Sequence, residues 1–234
     1  MAGKKGFLYE TSIHRKLKQK GITPLGSQPA GANPNLPDAI FIYKGVPYKL
    51  EVKLDLSTDF GQGTLNYSDG TWTLGGANTP EAEEMRRLLG SVGADKFANM
   101  KWGSKGAPNK GEVDTKSFTQ EMVRDDYMRF KDGFKPVDKK NIWDYYAAKD
   151  TYYIQIGGYG LYYMSANPAN LPIKRLDVLA SLRIRLKRGG SFPLNNYRFT
   201  TALKVTQKPS RSPIDIDKNI CLLYTSDAAD DVLC

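Results

Sequence analysis

Apolar and polar residues alternate along residues 36–55, LPDAIFIYKGVPYKLEVKLD. The alternation predicts two short strands, and Lys44-Gly45 between them predicts a two-residue hairpin turn, since glycine supplies the positive φ that such turns need. With Tyr43 facing Val46 across the turn, one face of the hairpin carries no charge, and we expect it to be buried. This face holds Ala39, Phe41, Tyr43, Val46, Tyr48, Leu50, Val52 and Leu54.

The opposite face of the hairpin gathers charged residues. In this register Asp38 lies opposite Glu51, and Lys53 projects from the face that carries Glu51. Two carboxylates this close repel each other unless a cation or a shared proton intervenes. Lys53 neutralises one charge, and a hard divalent cation such as Mg²⁺ would balance the rest. The alternative is a cross-strand charge cluster on a solvated sheet face, which contributes little to stability.

Helical and alternating patterns predict further elements. The predicted helices cover residues 6–20, 79–90, 117–132 and 138–148, and the predicted strands lie within residues 61–74, 151–165, 180–190 and 195–208. Turn-forming and glycine-rich stretches at 23–36 and 101–116 predict loops. This order predicts a mixed α+β or α/β fold, of which we favour α/β, with a mixed central sheet that is mostly an antiparallel meander, flanked by helices and followed by a β-rich basic C-terminal part.

The first predicted helix, residues 6–20, has an apolar stripe and ends before Gly21. The stripe consists of Phe7, Tyr9, Ile13 and Leu17. Glu10 falls within it, where an unpaired carboxylate would be costly; a glutamate that reaches out to solvent is the alternative. The single histidine, His14, is flanked by basic residues and expected at the surface, and one histidine excludes the histidine-dependent nuclease classes.

The composition of the chain predicts a polyanionic partner. The 234 residues are 40% hydrophobic, enough for one sizeable domain or for a domain with a smaller appendage, and the formal net charge is +9. An excess of this kind suits nucleic acid, although a generic basic soluble protein is the bland alternative. No apolar run approaches the roughly 20 residues that span a bilayer, and the N-terminal sequence lacks the apolar core of a signal peptide. We therefore expect no membrane partner and a cytoplasmic protein.

Residues 221–234 stand apart from the rest. Their first ten residues, CLLYTSDAAD, resemble the translation of a transposon-end adapter used in sequencing libraries, which marks the segment as a non-native tail; a genuine acidic tail is the alternative. Both cysteines, Cys221 and Cys234, lie in it. Without them the chain has no thiolate metal site, catalytic cysteine or disulfide, which suits a reducing cytosol.

A basic strand is predicted near the C-terminus. Arg183, Arg185 and Lys187 alternate with Ile184 and Leu186, so one strand face is basic and the other apolar. A basic face that follows a phosphate backbone gives salt-dependent binding, whereas the alternative is a solvated sheet edge with protective charges. The predicted nucleic-acid-binding residues are Arg183, Arg185, Lys187, Arg188, Arg198 and Lys204.

The hairpin sequence resembles a known signature. Pro37-Asp38, then a strand, then Glu51-Val52-Lys53 is similar to the motif of the PD-(D/E)XK nuclease superfamily, which includes restriction endonucleases, phage resolvases and repair nucleases. The resemblance implies a restriction-endonuclease-like catalytic core in residues 1–110, formed by a helix, a three-stranded meander and a second helix. Residues 111–220 are then a helical and β-rich basic extension that contacts nucleic acid.

The same resemblance implies a set of site residues. Asp38, Glu51 and the backbone carbonyl of Val52 would hold Mg²⁺, or Mn²⁺ in its place, and Glu10 matches a further acidic ligand that the first helix often supplies. Lys53 would orient the attacking water, and Gln62 resembles a polar residue that some members carry on the next strand.

The function implied is metal-dependent cleavage of DNA by an endonuclease, of a phage-encoded restriction type or a structure-selective type. RNA is the less favoured substrate. Many such enzymes are homodimers because two strands must be cut, and a viral enzyme would act in the cytoplasm of the host cell. The alternative from another class is a non-catalytic nucleic-acid-binding or virion-associated protein whose acids merely decorate a hairpin.

Overall fold

The computed structural model describes residues 2–27, 36–100, 119–189 and 196–220. The predicted loop at 101–116 and the predicted non-native tail, with both cysteines, lie outside these ranges. Among the described residues, no helix is both long enough and apolar enough to cross a membrane.

The helices largely match the predicted positions. Within the described ranges they are α1 (Ala2–Gln19), α2 (Pro80–Ser91), α3 (Ala94–Ala98), α4 (Gln120–Phe130) and α5 (Lys140–Ala147). Thr79 occupies the N-cap position of α2 in an extended conformation, although its side chain makes no capping hydrogen bond. The short α3 was not predicted.

The strands were predicted with one exception, β5. They are β1 (Ala39–Tyr43), β2 (Val46–Lys53), β3 (Gln62–Ser68), β4 (Thr71–Leu74), β5 (Gly133–Val137), β6 (Tyr153–Ile156), β7 (Gly160–Tyr163), β8 (Ala180–Gly189) and β9 (Asn196–Val205). They form two sheets where one central sheet was expected, a four-stranded sheet of order β1-β2-β6-β7 and a five-stranded sheet of order β4-β3-β9-β8-β5. The fold is therefore mixed α/β with two antiparallel-rich sheets.

Each sheet belongs to its own compact unit. The described parts of Met1–Thr58, Tyr146–Val178 and Val205–Cys234 form the first unit, and those of Asp59–Tyr145 and Leu179–Lys204 form the second. Both units combine segments from either side of residue 110. The functional division of the chain at that residue stays a prediction.

The hairpin of the first unit has the predicted register. Tyr43 pairs with Val46 and Ala39 with Leu50, and the turn residues Lys44 and Gly45 have φ values of 49° and 78°. The expected third strand of the meander is absent from this sheet, because β3 pairs with β4 and β9. On its other side β2 pairs in parallel with β6 instead.

The buried face of the hairpin packs against α1 in the core of the first unit. Phe41, Leu50 and Val52 are buried there with Ile13 and Leu17 of α1. Each such side chain contributes about 1.5–3 kcal/mol by leaving water. The prediction that this whole face is buried is wrong for Val46, which is 48% exposed because it flanks the turn.

The buried stripe of α1 differs from the predicted one at two positions. His14, expected at the surface, is buried, and its Nε2 atom lies 3.2 Å from the hydroxyl of Ser27. Phe7, expected in the stripe, is 45% exposed. The residues of α1 that face the core are Ile13, His14 and Leu17, which follow Glu10 by three, four and seven positions. This spacing puts Glu10 on the same helix face as Ile13 and Leu17.

The second unit has an aromatic core over its five-stranded sheet. The ring of Phe199 on β9 lies edge-on to Trp72 at 4.9 Å and to Phe130 at 5.4 Å between ring centroids. Phe97 of α3 joins them, 5.7 Å from Phe130. Edge-to-face pairs of this kind add about 0.5–1.5 kcal/mol to the burial of each ring.

Candidate active site

Asp38 is fixed at the open end of the hairpin. It directly precedes β1, and its Oδ2 atom accepts a hydrogen bond of 2.9 Å from the backbone N–H of Val52 on β2. The register of the hairpin explains this position. Ala39 pairs with Leu50, and one step further from the turn Asp38 lies beside Glu51. The carboxylate thus takes the place of a strand carbonyl at the end of the ladder.

Glu51 is a buried acid surrounded by donors. Its side chain projects from the sheet face opposite Leu50 and Val52, and only 6% of the residue is exposed. Oε1 accepts hydrogen bonds from Lys53 Nζ at 2.6 Å and from the hydroxyl of Tyr146 at 3.0 Å. Oε2 lies 3.9 Å from Lys149 Nζ. Such a set of partners is what a buried carboxylate needs to stay ionised.

The ionisation of these groups follows from their surroundings. Burial raises the pKa of Asp38 to about 7, and the charge of Glu51 adds to the effect against the opposing charge of Lys53. Burial acts in the same direction on Glu51, but Lys53, Lys149 and the Tyr146 hydroxyl outweigh it and lower the pKa of Glu51. Glu51 and Lys53 therefore form a charged pair, while Asp38 is the acid that lacks sufficient positive charge.

Glu10 takes part in the same electrostatic cluster. Burial raises the pKa of Glu10, Lys53 lowers it, and Glu51 raises it further. The charge of Glu10 also raises the pKa of Asp38. The helix and the hairpin thus bring three of the predicted acids, with Lys53, into one region of the first unit.

The chemistry of this donor set fits a magnesium ion. Carboxylate oxygens are the ligands that Mg²⁺ prefers, and burial together with the charge of Glu51 raises the pKa of Asp38 although Lys53 opposes it. The described part of the chain contains no group of three or more His, Cys, Asp or Glu side chains that could hold an ion together.

Gln62 lies on β3 in the second unit. Its side-chain amide donates a hydrogen bond of 3.2 Å to Asp59 Oδ2. The role predicted for Gln62 in catalysis stays a prediction.

Several residues around the site were missed by the sequence analysis. Tyr146 and Lys149, which contact Glu51, follow it by almost 100 residues, and no local pattern links them. Gln155 is fully buried on β6 in register with Val52, on the sheet face opposite Glu51, and its amide binds Asp215 Oδ1 at 2.8 Å. A lone glutamine between two isoleucines of a predicted strand was the one available signal for Gln155.

The predicted nucleic-acid-binding residues lie on β8 and β9 of the second unit. Ile184 and Leu186 are buried, while Arg183, Arg185 and Lys187 retain exposure, as the alternation predicted. Two of the bases already have an acidic partner: Asp59 Oδ1 lies 3.3 Å from Arg183 and 3.0 Å from Lys204. The side chain of Arg188 lies outside the described residues.

Comparisons of the chain with protein-family models, with curated proteins and with solved structures find no match. Its function is therefore inferred from its own residues.

Proposed function

We propose that this protein is an Mg²⁺-dependent endonuclease that hydrolyses phosphodiester bonds in DNA, with a restriction-endonuclease-like core of the PD-(D/E)XK type. The observation that carries the proposal is that Asp38, Glu51 and Lys53 lie together at one end of a hairpin, where Glu51 is buried and the other two are partly buried. Burial of charged groups is costly, and a cation beside Asp38 would offset the burial and the charge of Glu51 that together raise the pKa of Asp38.

The acids would hold the ion. Asp38, Glu51 and, by the resemblance, Glu10 and the Val52 carbonyl are its candidate ligands. A bound Mg²⁺ or Mn²⁺ would supply Lewis acidity and an activated water. The Val52 N–H and the Tyr146 hydroxyl would keep the two carboxylates of the hairpin oriented for that task.

Lys53 would act as a donor rather than as a base. Burial disfavours its ammonium form, but Glu51 and Asp38 outweigh burial and raise the pKa of Lys53. An ammonium that keeps its proton can orient the attacking water by a hydrogen bond and stabilise charge that develops on the phosphate oxygens.

One feature of the topology supports the proposal, and another differs from the topology that the resemblance implies. The helix α1 packs on the hairpin that carries the acids, which is the order that the resemblance implies. The strand beside β2 is β6, whereas the resemblance implies the next strand along the chain. The basic residues of β8 and β9 are the proposed DNA contacts. A homodimer in the cytoplasm, of the host cell if the protein is viral, completes the proposal.

The test is metal-dependent nicking of supercoiled plasmid. The wild-type protein should nick with Mg²⁺ and not with EDTA, and Asp38→Asn should lower the rate by at least 100-fold, since it removes one ligand charge without changing size. Asp150→Asn is the matched control, because the Asp150 side chain is 71% exposed and pairs only at the surface with Lys49. Equal rates for wild type and Asp38→Asn would refute the proposal.

A non-catalytic nucleic-acid-binding or virion-associated protein is the second candidate. The observation that favours it is the 2.6 Å pair of Glu51 and Lys53, which already engages one proposed ligand internally. A gel shift of several DNA structures without nicking under Mg²⁺ or Mn²⁺ would support this alternative.

A further inference from the structure

The second unit contains a cavity of about 460 Å³ beside its five-stranded sheet. Residues of β3, β8 and β9 line it, together with α2 and the segment that precedes α2. Its volume falls within the roughly 300–1,000 Å³ that is typical of small-molecule sites. The cavity is thus large enough for a ligand bigger than a simple ion.

Positive charge dominates the lining. Four bases face the cavity, namely Arg183, Arg185, Lys187 and Arg198. Arg183 is paired with Asp59 at 3.3 Å and lies 3.9 Å from Asp132. Within the described ranges the other three bases make no ion pair, and the one further acid of the lining is Glu81. The lining therefore has an excess of about two positive charges.

Three of these arginines also have unsatisfied donors. The Nε atoms of Arg183, Arg185 and Arg198 are buried and have no hydrogen-bond partner among the described residues, and the same is true of the Thr201 hydroxyl, which also lines the cavity. Buried donors are almost always paired in folded proteins, because an unpaired one keeps the full cost of leaving water. These four groups lack an acceptor among the described residues.

We propose that this cavity binds a phosphate monoester, such as the phosphate of a nucleotide or of a nucleic-acid end, without any metal. A phosphate monoester carries close to two negative charges at neutral pH and several acceptor oxygens, which matches the excess charge and the guanidinium groups of the lining. Guanidinium groups bind such oxygens in pairs, whereas a carboxylate offers fewer acceptors. The apolar groups of Ala82, Met85 and Tyr145 in the same lining suit the attached sugar or base.

The bases of this cavity are also among the proposed DNA contacts, so the proposal deepens the proposed function there, but it does not rest on the hairpin acids. Asp38 belongs to the first unit and lines no part of this cavity. The phosphate site would therefore exist whether or not the hairpin acids cut DNA.

The direct test is calorimetric titration of the full chain in EDTA with inorganic phosphate, AMP, adenosine and sulfate. AMP should bind at least tenfold more tightly than sulfate, phosphate should bind detectably, and adenosine should not bind. Arg185→Gln and Arg198→Gln should each weaken AMP at least tenfold, since each removes a charge-assisted hydrogen bond. Arg211→Gln is the matched control, because Arg211 is an exposed arginine outside the cavity, and it should bind AMP like the wild type.

Two further arms identify the source of the phosphate and separate the two proposals. If a 5′-phosphorylated oligonucleotide binds more tightly than AMP and more tightly than the same oligonucleotide with a 5′-hydroxyl, the ligand is a strand end. If AMP binds as tightly as the phosphorylated oligonucleotide, the ligand is a free nucleotide. Both outcomes support the site. Asp38→Asn should bind AMP like the wild type even if nicking is lost or was never present. Equal binding of AMP and sulfate, or an equal loss in Arg211→Gln, would overturn the phosphate site.

A measurement on the wild-type protein covers the case in which the glutamine variants do not fold. Phenylglyoxal modifies accessible arginines, and mass spectrometry locates the modified residues. AMP should protect Arg185 and Arg198 at least threefold and leave Arg211 unchanged. Equal modification of Arg185 and Arg198 with and without AMP would rule out the site.

Discussion

The Nζ atom of Lys53 lies 2.6 Å from Oε1 of Glu51, two positions earlier on the same strand. Side chains spaced by two residues project from one face of a strand, so β2 alone holds the two charges together. Both groups are largely buried, with side chains 17% and 8% exposed. Neither partner can therefore be removed without leaving a buried charge.

Lys53→Met should lower the free energy of unfolding by about 3 kcal/mol, the lower end of the cost of breaking a buried ion pair, because Lys149 remains near Glu51. Urea denaturation at pH 7 measures this loss. The double variant Lys53→Met with Glu51→Gln should recover more than half of it. A double variant as unstable as the single one would contradict the pairing.

Asp38 should make stability depend on pH. Its pKa is raised to about 7 in the folded protein, above the model-peptide value of about 3.9, so the folded state holds a proton that the unfolded state has lost. Between those two values the free energy of unfolding therefore falls as the pH rises, and above about pH 7 the whole cost is present.

The measurement is urea denaturation in EDTA at pH 5 and pH 8. Asp38→Asn, which carries no charge at either pH, should gain stability relative to the wild type at pH 8 and gain less at pH 5. Mg²⁺ should stabilise the wild type at pH 8 and leave Asp38→Asn unchanged, because a ligand stabilises only the state that binds it. An equal effect of Asp38→Asn at both pH values would contradict the raised pKa.

Tyr146→Phe should separate the role of the Tyr146 hydroxyl, which orients Glu51, from the packing of the Tyr146 ring. It removes the hydroxyl that donates to Glu51 and should cost about 0.5–1.5 kcal/mol of stability, together with a lower nicking rate. Tyr162→Phe is the matched control: Tyr162 is also a buried tyrosine of the first unit, but its hydroxyl donates to the carbonyls of Tyr159 and Ser210. The control should lose similar stability and no activity. Equal nicking by both variants would exclude a role for Tyr146 at the site.

The hairpin turn offers a stabilising substitution. Lys44 has a φ of 49°, which a side chain with Cβ adopts at a cost, and Gly45 follows with a φ of 78°. Lys44→Asn creates the Asn-Gly sequence that such turns favour and should raise the free energy of unfolding by about 0.5–1 kcal/mol. Thermal unfolding measures the gain, and Lys44→Ala, which lacks the preference, should show none.

The sequence was sufficient wherever the determining contacts are local. The register of β1 and β2 follows from one glycine turn and an alternating pattern, and it fixed the neighbourhood of Asp38, Glu51 and Lys53. The partner of β2 on its other side was not predictable in this way. Glu51 is in register with Ile154 on β6, and about 100 residues separate them, so no turn chemistry links the two strands.

The same distance explains the missed site residues. Tyr146 and Lys149 contact Glu51 in the folded sheet that includes β6. The sequence around them predicts only the end of an ordinary helix. The burial of His14 was missed for a different reason. Its basic neighbours in sequence lie on other faces of α1, and the face itself is visible only in the spacing from Glu10 to Leu17.

The parallel pairing of β2 with β6 has a consequence for biosynthesis. The ribosome must synthesise about 100 further residues after the hairpin before β6 exists, which takes on the order of 5–20 s at the usual rates of translation. Until then Glu51 lacks Tyr146, Lys149 and the neighbouring strand. The nascent chain thus carries its acidic cluster in an unfinished sheet, and the cluster is completed only after β6 has been synthesised.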